Sequence, residues 1–277
     1  MPELPEVELV ARALDLLVKG RKVTIAELRR ERLAPDVTPD EFAGKLADAA
    51  INFVHRRGKH ILFDLANGRT LITHLRMSGR FMLLTVERED PKFTHAVFYL
   101  DDETRLVFQD QRHFGLMKIV ETAGLYEAKE LKKLAPEPFS EEFSPAYFRK
   151  TLKTSKKSLK EFLLDQTKVT GLGNIYASEA MFLAGVNPTI PAGKLSGKKA
   201  DVLFEKVREV LRESISHGST LNIDPENIEG SYYGGGYESS WRVYDREKEP
   251  CPNCQTPVIR LKQGGRSTYF CPKCQKR

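Results

Sequence analysis

Apolar residues recur at three- and four-residue steps over residues 4–19 (Val7, Val10, Leu14, Leu17), with Pro5 in the first turn and Gly20 just past the end. That period places them on one face of a helix bounded by a proline start and a glycine stop. From residue 23 the pattern changes to short β-rich runs at 23–28, 51–56, 60–65, 70–75, 96–100, 105–108 and 117–120. Turn signals such as Ala66-Asn67-Gly68 and Asp101-Asp102 join several of them. No helix-length crossover separates the later runs, so the pattern predicts a two-layer antiparallel sandwich rather than a parallel sheet. Beyond residue 121 the helical period returns, with helices expected at about 145–153, 158–165, 174–184 and 197–217. Pro136, Pro138 and Pro145 punctuate the stretch between the two regimes. The chain reads as an α+β protein: a sandwich domain with a flanking helix at 1–135, a helical domain at 136–240 and a terminal hairpin at 241–277. No solenoid period is present, and the single biased segment is the short glycine–tyrosine run at 232–237.

With 277 residues, each of two domains can bury its own core. Nowhere do eighteen apolar residues run together, which excludes a hydrophobic membrane-spanning helix. The start, Met-Pro-Glu-Leu-Pro-Glu, has carboxylates where an export signal needs a basic patch and an apolar stretch, so a reducing cytoplasm is the expected compartment. The net charge of +6 says little by itself, but its distribution says more. From Pro250 to the end there are six basic residues and no Asp or Glu, so a polyanion would be met first there.

All four cysteines lie in that basic tail, as Cys251-x2-Cys254, sixteen residues, then Cys271-x2-Cys274. Each pair bends two thiolates toward one point, and a hairpin of this length brings the pairs together as a closed, structural four-sulfur zinc site. Two disulfides are the alternative, which a reducing compartment disfavours.

The first eight residues combine Pro2 with Glu3, Glu6 and Glu8. Removal of Met1 would leave a free secondary amine, and an α-amino group titrates near roughly 7.7 to 8.0, where a useful fraction is neutral at physiological pH. Such an amine can attack a sugar C1′ to give a cationic iminium, which acidifies the C2′ hydrogen and allows loss of the 3′ phosphate. Glu3 is placed by sequence to move the protons. The plainer alternative is that Pro2 and Pro5 stiffen a helix start whose first turn favours acids.

Four motifs tip that balance. Met-Pro-Glu-Leu-Pro-Glu-Val-Glu at 1–8, Asp-Gln-Arg-His-Phe-Gly at 110–115, Gly-Leu-Gly-Asn-Ile-Tyr-Ala-Ser-Glu at 171–179 and the four-cysteine hairpin resemble, in this order, the formamidopyrimidine-DNA glycosylases. The likeness spans essentially the whole chain. It implies a β-sandwich followed by a helix-two-turn-helix domain and a zinc finger. It also implies a monomeric glycosylase and apurinic-site lyase acting on oxidised purines in double-stranded DNA, with one structural Zn2+. Residue by residue, the resemblance makes Pro2 the nucleophile and Glu3 the proton donor, with Glu6 supporting them and Lys59 holding backbone phosphate near the lesion. His74, Lys160, Asn174 and Arg266 are implied phosphate contacts. Met77, Arg112 and Phe114 are the implied residues that fill the duplex when the damaged nucleotide is extruded, as an apolar plug, a guanidinium and an aromatic wedge would.

Read without the resemblance, each has a plainer reading. Lys59 would be an exposed lysine at a turn, His74 a packed strand histidine, and Met77 and Phe114 core residues. Lys160 would be solvated helix surface and Asn174 a helix cap. One segment departs from the family: about 222–241 carries the glycine–tyrosine run, which leaves base preference open. The rival readings are a sister class that prefers oxidised pyrimidines, whose start differs at Leu4, and a non-catalytic protein that only binds nucleic acid through its zinc ribbon.

Overall fold

The computed structural model describes residues 1–220, 222–224, 227–231 and 236–276. The chain divides into two units, residues 1–132 with 220–235, and residues 133–219 with 236–277. The run of residues 232–235, part of the glycine–tyrosine segment, lies outside the described residues.

The first unit opens with α1 (Leu4–Val18), which buries Val7, Val10 and Leu14 of the stripe its period predicted, with Leu17 partly buried and Leu4 and Val18 joining the buried face. Eight antiparallel strands follow: β1 (Lys22–Leu28), β2 (Ala49–Arg57), β3 (His60–Leu65), β4 (Arg69–His74), β5 (Gly79–Thr85), β6 (Thr94–Leu100), β7 (Thr104–Asp110) and β8 (Leu116–Glu121). Their order in the ladder is β5-β7-β6-β1-β2-β3-β4-β8. At its middle, β1 and β2 pair only through Lys22 with Ala50 and Val23 with Ala49. Around that short junction the ladder closes on itself: Phe63 of β3 and Phe81 of β5, five places apart in the order, have ring centroids 5.3 Å apart. The two halves therefore form the layers of a sandwich, with Phe63, Phe81, Phe98, Leu106 and Phe108 between them and α1 sharing the core.

Several elements of this unit were not anticipated. Helix α2 (Pro39–Leu46) starts at Thr38, whose hydroxyl accepts the Glu41 amide while Glu41 accepts the Thr38 amide. This reciprocal cap was written in the sequence as Thr-x-x-Glu followed by an apolar pair. Strand β5 has a run of apolar residues, Phe81 to Leu84, without clean alternation, so periodicity alone did not reveal it. A short pair, β9 (Asn222–Asp224) and β10 (Asn227–Ser231), completes the unit.

The second unit contains α3 (Pro145–Lys153), α4 (Leu159–Leu164), α5 (Asn174–Leu183) and α6 (Gly197–Ser216), close to the expected bounds. Ser144, Ser158 and Ser196 cap α3, α4 and α6 through their side chains. Phe143, Phe148, Phe162 and Phe204 form its aromatic centre, with neighbouring rings 5.3 to 6.0 Å apart. Helix α5 is buried from Ile175 to Phe182 on every face. The chain ends in the hairpin β11 (Ile259–Gln263) and β12 (Arg266–Phe270). Gly264 and Gly265 turn it with φ of +52° and +77°, a two-residue geometry that only glycine adopts at no cost. Among the described residues, no helix is long and apolar enough to cross a membrane.

Candidate active site and nucleic-acid contacts

The N-terminus sits among charges that belong to distant parts of the first unit. Burial pushes the Met1 ammonium below its ordinary value of 8.0, and Lys59 and Arg112 add to the lowering while Glu3 and Glu6 oppose it. Pro2 is buried, and Glu3 and Glu6 are each 2 % exposed. Glu6 is committed to structure: one carboxylate oxygen accepts the Glu3 amide at 2.8 Å, and the other accepts the Thr220 hydroxyl at 3.0 Å. Glu3 and Glu6 thus cap the start of α1 reciprocally, each side chain accepting the other's amide.

An ion pair holds the start of α1 against the β2–β3 hairpin. Glu8 accepts Arg56 Nε at 2.6 Å, and Arg56 is itself on β2. Arg57 pairs with His60, so Gly58 and Lys59 form the two-residue turn. Lys59 is only 5 % exposed, unlike the solvated lysine a bare turn would carry. Register also sets His60 opposite His74, rings edge to face at 4.7 Å. Desolvation pushes His60 down to about 4 and His74 down to about 2, and the charges of Arg76 and Lys59 act in the same direction on both. His74 Nδ1 accepts the Arg76 amide at 3.0 Å, which fixes the ring proton on Nε2. His74 is thus a neutral donor inside a cationic cluster, the chemistry a phosphate oxygen requires.

Met77 and Phe114 are 38 % and 54 % exposed, so neither belongs to the core. Arg112, also exposed, lies over the Phe114 ring at 5.3 Å. The two loops carrying these three residues both spring from the end of β4 or β7.

In the second unit, the structure brings Lys160, Asn174 and the hairpin together. Lys160 is fully buried, and its ammonium donates to the Thr268 hydroxyl at 2.7 Å and to the Ser267 carbonyl. Asn174 does not cap α5, since Gly173 holds the capping position; its amide donates to the same Ser267 carbonyl at 3.0 Å. Arg266, next in the chain, is exposed. Two roles missed in the sequence appear here. Glu179, fully buried on α5, accepts the amides of Arg242, Val243 and Tyr244 at 2.9 to 3.0 Å and so fixes the approach to the hairpin. A carboxylate inside an otherwise apolar helix was the available signal. Gln263 donates to Ser158 and Pro188, which docks the hairpin tip on α4.

The four cysteine sulfurs lie within 4.8 Å of one another. The Cys251–Cys274 and Cys254–Cys271 separations are 3.9 and 3.5 Å, far beyond a disulfide bond. They bracket the ~3.8 Å edge of a tetrahedron with ~2.3 Å zinc–sulfur bonds, so the donor set fits one structural zinc.

Comparison with known proteins agrees with this geometry. Residues 1–117 match the formamidopyrimidine-DNA glycosylase N-terminal domain, residues 134–224 its H2TH domain, and residues 248–277 the zinc finger found in FPG and IleRS. The formamidopyrimidine-DNA glycosylase of Listeria innocua is 41 % identical, each chain covered over its full length. That of Bacillus subtilis is 40 % identical over 99 % of both chains. Among solved structures, the complex of Lactococcus lactis Fpg with DNA containing an abasic site superposes with a TM-score of 0.92 at 31 % identity, over 99 % of this chain and 100 % of that one. With Pro2, Glu3 and Glu6 buried at the chain start, a cysteine cage for zinc and full-length relatives at this identity, the chain belongs to the formamidopyrimidine-DNA glycosylase family.

Proposed function

We propose that this chain is a bifunctional base-excision-repair enzyme that removes oxidised purines, 8-oxoguanine and formamidopyrimidines, from duplex DNA and then cleaves the strand. The observation that carries the reading is the start of the chain, where Pro2 is buried and the terminal ammonium lies within electrostatic reach of Glu3, Glu6, Lys59 and Arg112. Once Met1 is removed, the nucleophile in that pocket is the Pro2 amine. Its nitrogen bonds to C1′ as the glycosidic bond breaks and the base leaves with a proton, while Glu3 protonates the ring oxygen. The ring opens to an iminium. Loss of the C2′ proton then expels the 3′ phosphate, and a second elimination expels the 5′ phosphate. Burial lowers the proton affinity of the Met1 ammonium, and a Pro2 amine in the same surroundings would gain nucleophilic fraction for the same reason.

Lys59 and His74 are assigned to backbone phosphate beside the lesion, and Arg266 to phosphate through the hairpin, where a guanidinium fork suits the task. Met77, Arg112 and Phe114 are assigned to the vacated stack and the orphan base, which their exposure allows. Lys160 and Asn174 face the Ser267 carbonyl, so their contribution to DNA contact runs at least in part through the placement of Arg266. Zinc would supply no chemistry; Cys251, Cys254, Cys271 and Cys274 would hold it to shape the hairpin. The enzyme is assigned to the bacterial cytoplasm, acting as a monomer.

Borohydride trapping on an 8-oxoguanine or abasic duplex tests the reading. The processed enzyme forms a covalent band, and Pro2→Gly and N-acetylated enzyme lose most of it. No band from processed enzyme would leave the chain a nucleic-acid-binding protein without this chemistry.

A further inference from the structure

The loops that carry Met77 and Arg112–Phe114 lie between the same two rungs of the ladder. Gly79 faces Asp110 across β5 and β7, and His74 faces Leu116 across β4 and β8. Asp110 is fully buried. One of its carboxylate oxygens accepts the Ser78 hydroxyl and, at 3.2 Å, the Arg112 amide; the other accepts the Gly115 amide at 2.6 Å. Ser78 closes the figure, since its oxygen also accepts the Arg112 amide at 3.0 Å. The packing has the same focus: a Cβ at Gly79 would fall 2.7 Å from the tip of the Phe108 ring, and one at Gly115 would fall 2.9 Å from it. Both loops are therefore pressed against one side chain and tied to one carboxylate.

A loop cap alone would need only the donors of its own loop, Arg112 and Gly115. The Ser78 hydroxyl comes from the other loop, 32 residues away in the chain. A buried carboxylate is tolerated when its lone pairs are filled, and here donors from both loops fill them. Extrusion of a nucleotide leaves a gap in the stack and an unpaired base opposite, and both must be filled within one event. Two independent loops would each lose conformational freedom at that moment, whereas a linked pair has lost it beforehand.

We propose that Asp110 and Ser78 form a positioning pair that locks the Met77 loop to the Arg112–Phe114 loop, so that plug, guanidinium and wedge enter the duplex as one body. The proposal rests on the assignment of those three side chains to the vacated stack.

The test is stopped-flow fluorescence from a 2-aminopurine beside an 8-oxoguanine, together with single-turnover excision and strand cleavage of a preformed abasic duplex. Ser78→Ala slows insertion and excision about tenfold, in line with loss of a buried charge-assisted hydrogen bond. The slowing is several-fold smaller on the abasic duplex, where no base is displaced. Ser78→Thr, which keeps the hydroxyl, restores most of the rate. Asp110→Asn sets an amide donor against donors and slows insertion more than Ser78→Ala does. Met77→Ala and Phe114→Ala are the comparators. If they are slow while Ser78→Ala inserts at the wild-type rate, the positioning pair is wrong and the wedge assignment stands. If all three insert at the wild-type rate, both fall. Equal slowing of Ser78→Ala on both duplexes, with a lowered melting temperature, shows a general loss of structure and also overturns the proposal.

Discussion

Thr220 donates its hydroxyl to Glu6 at 3.0 Å, tying the segment that begins at Thr220 to the first turn of α1 within the first unit. Because the other Glu6 oxygen holds the Glu3 amide, substitution of Glu6 loosens two contacts at once. Glu6→Ala should cost about 2 to 3 kcal/mol of stability, the value of a buried, charge-assisted bond and its neighbour, and lower the melting temperature. Iminium trapping should fall further with Glu3→Gln than with Glu6→Ala once both are compared below their melting transitions. The reverse order would exchange the roles given to the two acids.

The pH dependence expected of a Pro2 nucleophile follows from the burial and charges at the chain start. Burial lowers the proton affinity of the Met1 ammonium, and a Pro2 amine in the same surroundings is expected to reach its free form at lower pH than in solution. The rate of trapping on an abasic duplex should therefore reach half its maximum at a lower pH than the amine of a peptide beginning Pro-Glu-Leu titrates. The linkage has a definite sign: the unfolded chain binds this proton more tightly, so the group's contribution to stability rises with pH across the interval between the lowered value and the unfolded one. A half-maximum at or above the peptide's value would contradict the pocket described.

His74 and Lys59 should be separable by salt. His74 is held neutral, with its remaining donor on Nε2, whereas a lysine that neutralises a phosphate releases a counterion. Lys59→Ala and Arg266→Ala should each flatten the slope of log affinity against log salt by about one. His74→Ala should weaken binding by about tenfold with the slope intact, as loss of a neutral hydrogen bond does. A flattened slope in His74→Ala would mean that the ring binds as a cation.

The His60–His74 pair also makes the sandwich sensitive to acid. Both rings are kept neutral in the fold well below the ordinary value of 6.5, so the unfolded chain takes up protons that the folded one refuses. Stability is full above pH 6.5 and falls beneath it, by up to ~2.7 kcal/mol per pH unit for the two rings together, until the folded values are approached. His60→Phe should roughly halve that slope between pH 6 and 4 in denaturant titrations. His60 Nδ1 has no hydrogen-bond partner, so the substitution gives up only the ring's bond to the Arg57 backbone.

Much of this could be read in the chain beforehand, and the rest has physical reasons for being hidden. The helix 4–19 and the strand at 60–65 were legible because one face of each is apolar and glycine or proline marks the ends. The cysteines were legible because metal geometry dictates their spacing. The two-layer sandwich was legible in the strand pattern, but which strands face one another was not, because no local pattern encodes the meeting of Phe63 with Phe81, five places apart in the ladder. Lys160 looked like ordinary helix surface, and its burial depends on Ser267 and Thr268 over a hundred residues later. Asp110 stood inside a recognisable motif, yet its partner Ser78 lies on another loop, and only the register of β5 with β7 brings them together.

The Ser267 carbonyl, claimed at once by a lysine of α4 and an asparagine of α5, makes the zinc hairpin a poor candidate for transplantation. Cut from its neighbours, the hairpin would keep its metal and lose the two donors that aim Arg266. A chimera that borrows the finger with this placement of Arg266 must import both helices with it.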